Sequence, residues 1–457
     1  MSGITIYEFD ALVPTLPGFN ETEGMRCIPT TVFNWLELQC LRTAEHGETA
    51  WLRLTQRRGR RCVQVTSYVG VIRAPDGYQI EVLPKVGKAI GGGDKEARLL
   101  LVEMLCCLGG FRHIQTDSAK LAAAKIPLLE VFIGEFLLSV NNIVKRGLRS
   151  NYTSRQGNLF ALRGKLLVSQ HLDQNLCRAD RFFTEHDEFS TNRPENRLLH
   201  SALRCALLQS ASQANQQLAR ELRFVFADVP LSSQFDQDFQ RVRLDRGMGH
   251  YADALAWARL ILDDESPLTG TGRNRAPSLL FPMEAVFEAF VAKHLAKQLA
   301  RPFNLKTQAR SYSFVRHQGQ NWFWLKPDLL VRELVSDRLV LDTKWKLIDD
   351  SRANSTDKYG LSQPDFYQLH AYGQSYLNGV GDVVLIYPKT DSFSKPLDAF
   401  DFPKATKLRL WVLPFCLRDK RLLLPPCGSL DACFIPWSPV ERASPESARQ
   451  REEVALI

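Results

Sequence analysis

Two aspartates and a lysine, Asp328, Asp342 and Lys344, stand on neighbouring apolar segments of this 457-residue chain. The first lies within Trp322 to Arg332, and the other two lie within Arg338 to Trp345. Both segments read as strands, and Glu333 to Asp337 between them is short enough for a hairpin turn. A hairpin draws Asp328 towards Asp342, and the period of two along a strand turns Asp342 and Lys344 to the same face. Two carboxylates and an ammonium then converge on a small volume. Mg2+ prefers hard oxygen ligands and commonly takes one or two carboxylates together with waters and substrate phosphate. The trio therefore suits metal-dependent phosphodiester hydrolysis, with Lys344 positioning or helping to deprotonate the attacking water. The competing reading is a surface hairpin carrying solvated acids. Against it stands Leu339-Val340-Leu341, an apolar run that buries Asp342, because a buried carboxylate without a partner is costly.

Two neighbours extend the set. Glu288 falls on the amphipathic stretch Met283 to His294, whose stripe is Val286, Phe287, Phe290 and Val291. It is either a third carboxylate for the metal or a solvated helix glutamate. Gln368 and Tyr372 are four residues apart, so on a helix they share a face and could hold a water or a DNA strand.

The elements that must position these residues divide the chain by character. Size alone allows roughly three domains, or two with generous insertions. Residues 1–94 read as a β-rich domain, with alternating strands at Trp51–Leu54, Cys62–Val65 and Tyr78–Leu83 and a short helix over Thr30–Thr43. Residues 95–266 read as a mixed helical and β region. Its basic and aromatic stretch from Arg146 to Phe183 is a candidate for docking on a partner, or else a set of solvated strands. The Pro/Gly/Thr/Ser-rich run Pro267 to Ser278 reads as a linker. Residues 267–437 then alternate helix, strands, helix and strands, an α/β layer arrangement within a chain that is α+β overall. Residues 438–457 form a polar tail.

Composition narrows the function classes. The excess of 58 Lys+Arg over 50 Asp+Glu gives a formal charge of +8, which favours an anionic partner without demanding one. The longest apolar run, Leu99 to Phe111, is interrupted by Glu103 and falls short of the roughly 20 residues a membrane span needs. Met1 to Asp10 lacks the pattern of a secretory signal, so a cytoplasmic location is expected. The 10 cysteines include no CxxC pair and read as structural residues of a reducing compartment. No GxxxxGK[ST] loop occurs; Gly87-Lys88-Ala89 lacks the hydroxyl residue, so any nucleotide hydrolysis must come from another chain.

Pro327-Asp328, then Asp342-Thr343-Lys344, then Gln368-x-x-x-Tyr372 resemble the PD-(D/E)xK nuclease superfamily in its RecB-like form. More narrowly, the chain resembles the McrC family, the nuclease subunits of McrBC modification-dependent (type IV) restriction systems. Ile80–Lys85, Leu162–Lys165, Thr191–Leu199, Phe281–Val291, Leu341–Lys346 and Asp365–Tyr372 carry the likeness, spread over about residues 78–390. The motifs are short, and their order and joint presence are what is specific. The resemblance implies a restriction-endonuclease-like C-terminal domain in which Asp328 and Asp342, with Glu288 as accessory, hold Mg2+. It assigns the catalytic lysine role to Lys344 and an accessory role to Gln368 and Tyr372. It also implies modified, methylcytosine-containing DNA as substrate. The implied partner is an McrB-like AAA+ GTPase hexamer, whose GTP hydrolysis the N-terminal region would stimulate on docking. The alternative is a non-catalytic adaptor that activates an AAA+ partner.

Overall fold

A computed structural model describes residues 3–15, 24–45, 51–87, 93–108, 127–262, 278–403, 407–425 and 430–435. The chain is a mixed α/β protein that divides into two compact units, Met1–Phe290 and Val291–Ile457. The expected linker at 267–278 and the polar tail at 438–457 lie outside the described residues, Ser278 excepted.

In the first unit the strands are β1 (Gly3–Tyr7), β2 (Ala11–Pro14), β3 (Met25–Ile28), β4 (Leu52–Arg57), β5 (Arg60–Val65), β6 (Tyr68–Arg73), β7 (Gln79–Leu83), β8 (Asn151–Leu159), β9 (Lys165–Leu166), β10 (Phe182–Ser190) and β11 (Ser278–Pro282). Its helices are α1 (Thr30–Glu45), α2 (Gly93–Leu105), α3 (Leu128–Arg146), α4 (Val168–Asn175), α5 (Pro194–Gln209), α6 (Gln213–Val225), α7 (Phe235–Arg241) and α8 (Tyr251–Leu262). Helix α9 (Met283–Leu295) carries the boundary between the units. The β-rich start forms two four-stranded sheets, ordered β1-β7-β6-β11 and β3-β2-β5-β4. Ile6, Leu12, Val32, Leu36, Val63, Ile72 and Val82 fill a common core between them. The segment 151–190 makes a separate three-stranded sheet, ordered β8-β10-β9.

One pairing departs from the domain limits read in the sequence. β11, which follows the expected linker, joins the N-terminal sheet by pairing antiparallel with β6, Phe281 opposite Val69. Its register cannot be read locally, because the partner lies some 200 residues upstream, and the first unit consequently runs on to Phe290. Gly70 makes the pairing possible. Its φ is +130°, and a Cβ there would lie 1.9 Å from the Leu279 carbonyl oxygen. Gly70→Ala combines backbone strain with a backbone clash and should cost about 3 kcal/mol or more. A thermal melt of the full chain should show an earlier first transition, and an unchanged melting curve would refute this account.

The second unit is built on a seven-stranded sheet. Its strands are β12 (Phe303–Thr307), β13 (Tyr312–His317), β14 (Gln320–Leu325), β15 (Leu329–Glu333), β16 (Ser336–Thr343), β17 (Gly381–Pro388), β18 (Phe400–Asp401), β19 (Leu408–Cys416) and β20 (Arg421–Leu422), with helix α10 at Gln363–Tyr376. The order is β12-β15-β16-β17-β19-β18, with β20 also on β19, while β13 and β14 pair only with each other. β16 and β17 are parallel, as are β17 and β19, which buries these apolar strands on both faces. Helix α10 starts with Pro364 in its first turn, where a missing N–H costs nothing. It packs Leu369, Tyr372 and Tyr376 against Val340, Val383, Leu385, Leu410 and Val412. Gly373 lets it lie close, since a Cβ there would sit 2.6 Å from a Leu408 methyl. No described helix is long and apolar enough to cross a membrane, and the cysteines described are free thiols.

Candidate active site

The expected hairpin is present and sets the site. β15 and β16 pair antiparallel with Leu329 opposite Leu341, so the ladder stops one step short of Asp328 and Asp342. Asp328 itself is not on a strand, contrary to the sequence reading. The run Trp322–Arg332 breaks at Lys326-Pro327-Asp328, because Pro327 has no N–H to give a ladder. Thr343 holds the aspartate after that break: its backbone N–H and its hydroxyl both donate to Asp328 Oδ2, each at 2.8 Å.

Asp342 is the last but one residue of β16, with its side chain 2% exposed. The period of two places it on the face of Val340, beneath α10. Lys344 lies just past the strand, where its backbone N–H donates to the Ile386 carbonyl. Its Nζ approaches Asp342 Oδ2 at 2.5 Å and Asp365 Oδ1 at 3.7 Å, and donates to Gln368 Oε1 at 3.2 Å. Gln368 Nε2 donates to the Tyr372 hydroxyl at 2.8 Å, and that hydroxyl donates to the Lys326 carbonyl at 3.1 Å. One chain of contacts thus runs from Asp342 through Lys344, Gln368 and Tyr372 to the residue before Pro327. Five of the six expected residues come together within the second unit.

The sixth, Glu288, is half-buried on α9, among the residues of the first unit. Among the described residues no group of three or more His, Cys, Asp or Glu side chains is arranged to hold a metal ion. Asp365 and Thr343 are the residues that sequence reasoning passed over. Asp365 stands one helical turn before Gln368, so a stripe of 365, 368 and 372 was available as a signal. Nothing local marks Thr343 as the clamp on Asp328.

The electrostatics are unbalanced. Burial, then repulsion from Asp328, pushes the Asp342 carboxyl up to about 7, although Lys344 opposes this. Burial pulls Lys344 down, but Asp342, Asp365 and Asp328 outweigh it and raise the ammonium above its ordinary value. Burial raises the Tyr372 hydroxyl, with Gln368 acting the other way. Three carboxylates thus face one ammonium. Asp342 Oδ2 is buried and accepts no hydrogen bond of ordinary geometry, so its contact with Lys344 is an ion pair. The two bonds from Thr343 to the Asp328 carboxylate both use Oδ2, which leaves its Oδ1 available. Two oxygens from two carboxylates, one desolvated, are the donor type a hard divalent cation takes.

Residues 63–388 match the family described as McrBC 5-methylcytosine restriction system component. No curated protein matches the chain. Among solved structures, the chain is similar to one in the refined half-complex from the tetradecameric assembly of Thermococcus gammatolerans McrB AAA+ hexamers with bound McrC. The two are 21% identical over 91% of this chain and 95% of that chain, with a TM-score of 0.65. A second match, to the T. gammatolerans McrBC complex seen by cryo-electron microscopy, is 21% identical over 66% of this chain and 89% of that chain, at a TM-score of 0.49. The first of these likenesses shows a shared fold, and the family match covers most of the sequence. The chain therefore belongs to the McrBC 5-methylcytosine restriction system component family.

Proposed function

We propose that this chain is an McrC-like, Mg2+-dependent endonuclease subunit that cuts methylcytosine-containing DNA delivered by an AAA+ GTPase. The observation that carries the proposal is the convergence of Asp328, Asp342, Lys344, Gln368 and Tyr372 at one end of the β15–β16 hairpin. The order of these residues along the chain is that of a PD-(D/E)xK nuclease, and the donor set supports magnesium as the ion. When bound, the ion supplies Lewis acidity to the phosphoryl group and the attacking water. Asp342 and Asp328, both in the second unit, would hold it.

The remaining work falls to the chain itself. Lys344, kept charged by its three carboxylate neighbours, offsets charge that builds on the phosphate and orients the water as a donor. A raised ammonium is a poor proton acceptor, which favours positioning over deprotonation. Gln368 and Tyr372 fix the Lys344 Nζ and tie it to the Pro327 turn.

The motor belongs to another chain. The similar T. gammatolerans structure contains McrB AAA+ hexamers with bound McrC, and this sequence has no phosphate-binding loop of its own. We assign the docking role to the first unit, where β8–β10 and Arg146 to Phe183 supply basic and aromatic surface, and we place the complex in the cytoplasm. The test combines the chain, an McrB-like GTPase, GTP and Mg2+ with methylated and unmodified DNA. Cutting should require every component and the methylated substrate. Stimulated GTP hydrolysis with no cutting at any Mg2+ concentration would make the chain an adaptor instead.

A further inference from the structure

β13 and β14 form a two-stranded hairpin that belongs to no larger sheet, and it is covered with aromatic rings. Phe323 is 71% exposed, Phe314 60%, Trp322 45% and Trp324 41%. Isolated two-stranded hairpins are marginal in water, and these rings leave between about two fifths and seven tenths of their surface facing water. The rings therefore call for a reason outside the fold.

Three observations say what covers them. The first is charge. From Phe303 to Pro327 the sequence carries Lys306, Arg310, Arg316 and Lys326 and no aspartate or glutamate, and all four cations are exposed. The second is the arrangement of rings and cations. Ser313 lies opposite Trp324 and Val315 opposite Trp322, so both indoles share a face with Val315 and His317. The Arg310 guanidinium sits 4.9 Å from the Trp324 ring centroid, and His317 lies 4.8 Å from that of Trp322. Phe323, between the two indoles, has a φ of +55°, a strained backbone for a bulky residue and one that tends to mark functional sites.

The third is continuity with the candidate active site. The Tyr376 hydroxyl on α10 binds the base of the hairpin, donating to the Leu325 carbonyl at 2.9 Å and accepting from the Ser311 N–H at 3.2 Å. The Tyr376 ring meets Tyr312 edge-on at 4.8 Å. The same helix carries Asp365, Gln368 and Tyr372, and β14 ends three residues before Asp328. The hairpin is fixed to the scaffold that holds the carboxylates.

We infer that the β13–β14 hairpin is a stacking platform for unpaired bases of the DNA strand next to the scissile phosphodiester. The inference rests on the nuclease reading of the neighbouring site. Flat rings interleaved with cations are what proteins use to bind single strands, because every base has a face to stack and every linkage a charge. A paired duplex hides those faces and offers edges instead, which are read by polar groups. A protein partner would not need a 25-residue stretch free of acids.

The experiment measures binding by the full-length chain, with EDTA present, to a fluorescein-labelled oligo-dT and to a duplex of similar length. The unaltered chain should bind the single strand more tightly. Phe323→Ala and the pair Trp322→Ala/Trp324→Ala should each weaken that binding about tenfold or more, with duplex binding changed far less. The pair Trp322→Phe/Trp324→Phe keeps aromatic faces and should retain affinity, which separates lost stacking from a damaged hairpin. Unchanged single-strand affinity in the alanine variants, or equal loss on both substrates, would overturn the inference. So would variants that bind DNA normally but change the mass of the particle in light scattering, since the hairpin would then be a protein contact. Because EDTA removes catalysis, ring-dependent binding without Mg2+-dependent cutting would count against the nuclease reading and not against the hairpin.

Discussion

Asp342→Asn is expected to abolish Mg2+-dependent cleavage and, at the same time, to raise the melting temperature of the metal-free chain. The loss should be about 10^3-fold or more, since several kcal/mol of transition-state stabilisation pass through the ion that this carboxylate would hold. The stability gain follows from the charge imbalance of Asp328, Asp342 and Asp365 against Lys344. The folded carboxyl of Asp342 titrates near 7, well above its unfolded value of 3.8. A group raised in this way contributes stability that is fully present below the unfolded value and is lost as pH rises through the folded one. The unaltered chain thus loses ground between about pH 4 and pH 7, whereas an asparagine, which never ionises, does not. Above pH 7 the variant should melt a few degrees higher, about 2–8 °C, because the raised carboxyl already sets the attraction of Lys344 against burial and Asp328. Near pH 4 the two should melt together. A variant that melts lower than the unaltered chain at pH 8 would show Asp342 to be a structural ion-pair partner. Added Mg2+ should narrow the gap by stabilising the unaltered chain alone, as any ligand of the native state does.

Asp342 and Lys344 were legible because a period-two strand and an apolar run fix both face and burial. Gln368 and Tyr372 were legible because four residues on a helix return to one face. The break before Asp328 was harder to see: Trp322 to Leu325 alternates well enough to pass for the start of β15, and only tertiary pairing separates β14 from it. Asp365 escaped notice because a carboxylate in a helix's first turn is ordinary capping chemistry. Its approach to Lys344 depends on how α10 lies on the sheet. β11 lies furthest from any local signal. Its five residues complete a sheet begun at Gly3, and the condition that permits this, a glycine at position 70, is also far away in sequence. Local pattern reached the chemistry of the second unit, and long-range pairing decided where the first one ends.

Lys344→Met should cut the single-turnover cleavage rate by about 10^2–10^3, the range seen when one preorganised donor to a developing oxyanion is removed. Methionine keeps the unbranched stem of the side chain, one atom shorter, and withdraws the charge, so packing under α10 should survive. Two further consequences have opposite signs and can be separated by pH. Without the ammonium, the local field is more negative and Mg2+ should bind more tightly wherever Asp342 is ionised. Asp342 also loses the neighbour that opposes its burial, so its carboxyl should titrate higher than in the unaltered chain. At pH 8 the variant should therefore bind Mg2+ at least as well as the parent, while at pH 6 proton competition should make it worse. The ratio of dissociation constants at the two pH values, read by calorimetry, should widen. Lys344→Arg keeps the charge but replaces a point donor with a planar fork that does not suit both Asp342 and Gln368, and it should return the pH dependence of Mg2+ binding to that of the parent more fully than it returns cleavage. Charge and geometry at position 344 would then be seen to act separately, the first on the ion and the second on the attacking water. If Lys344→Arg instead cuts like the parent, any cation suffices there and the contacts through Gln368 and Tyr372 have no catalytic consequence.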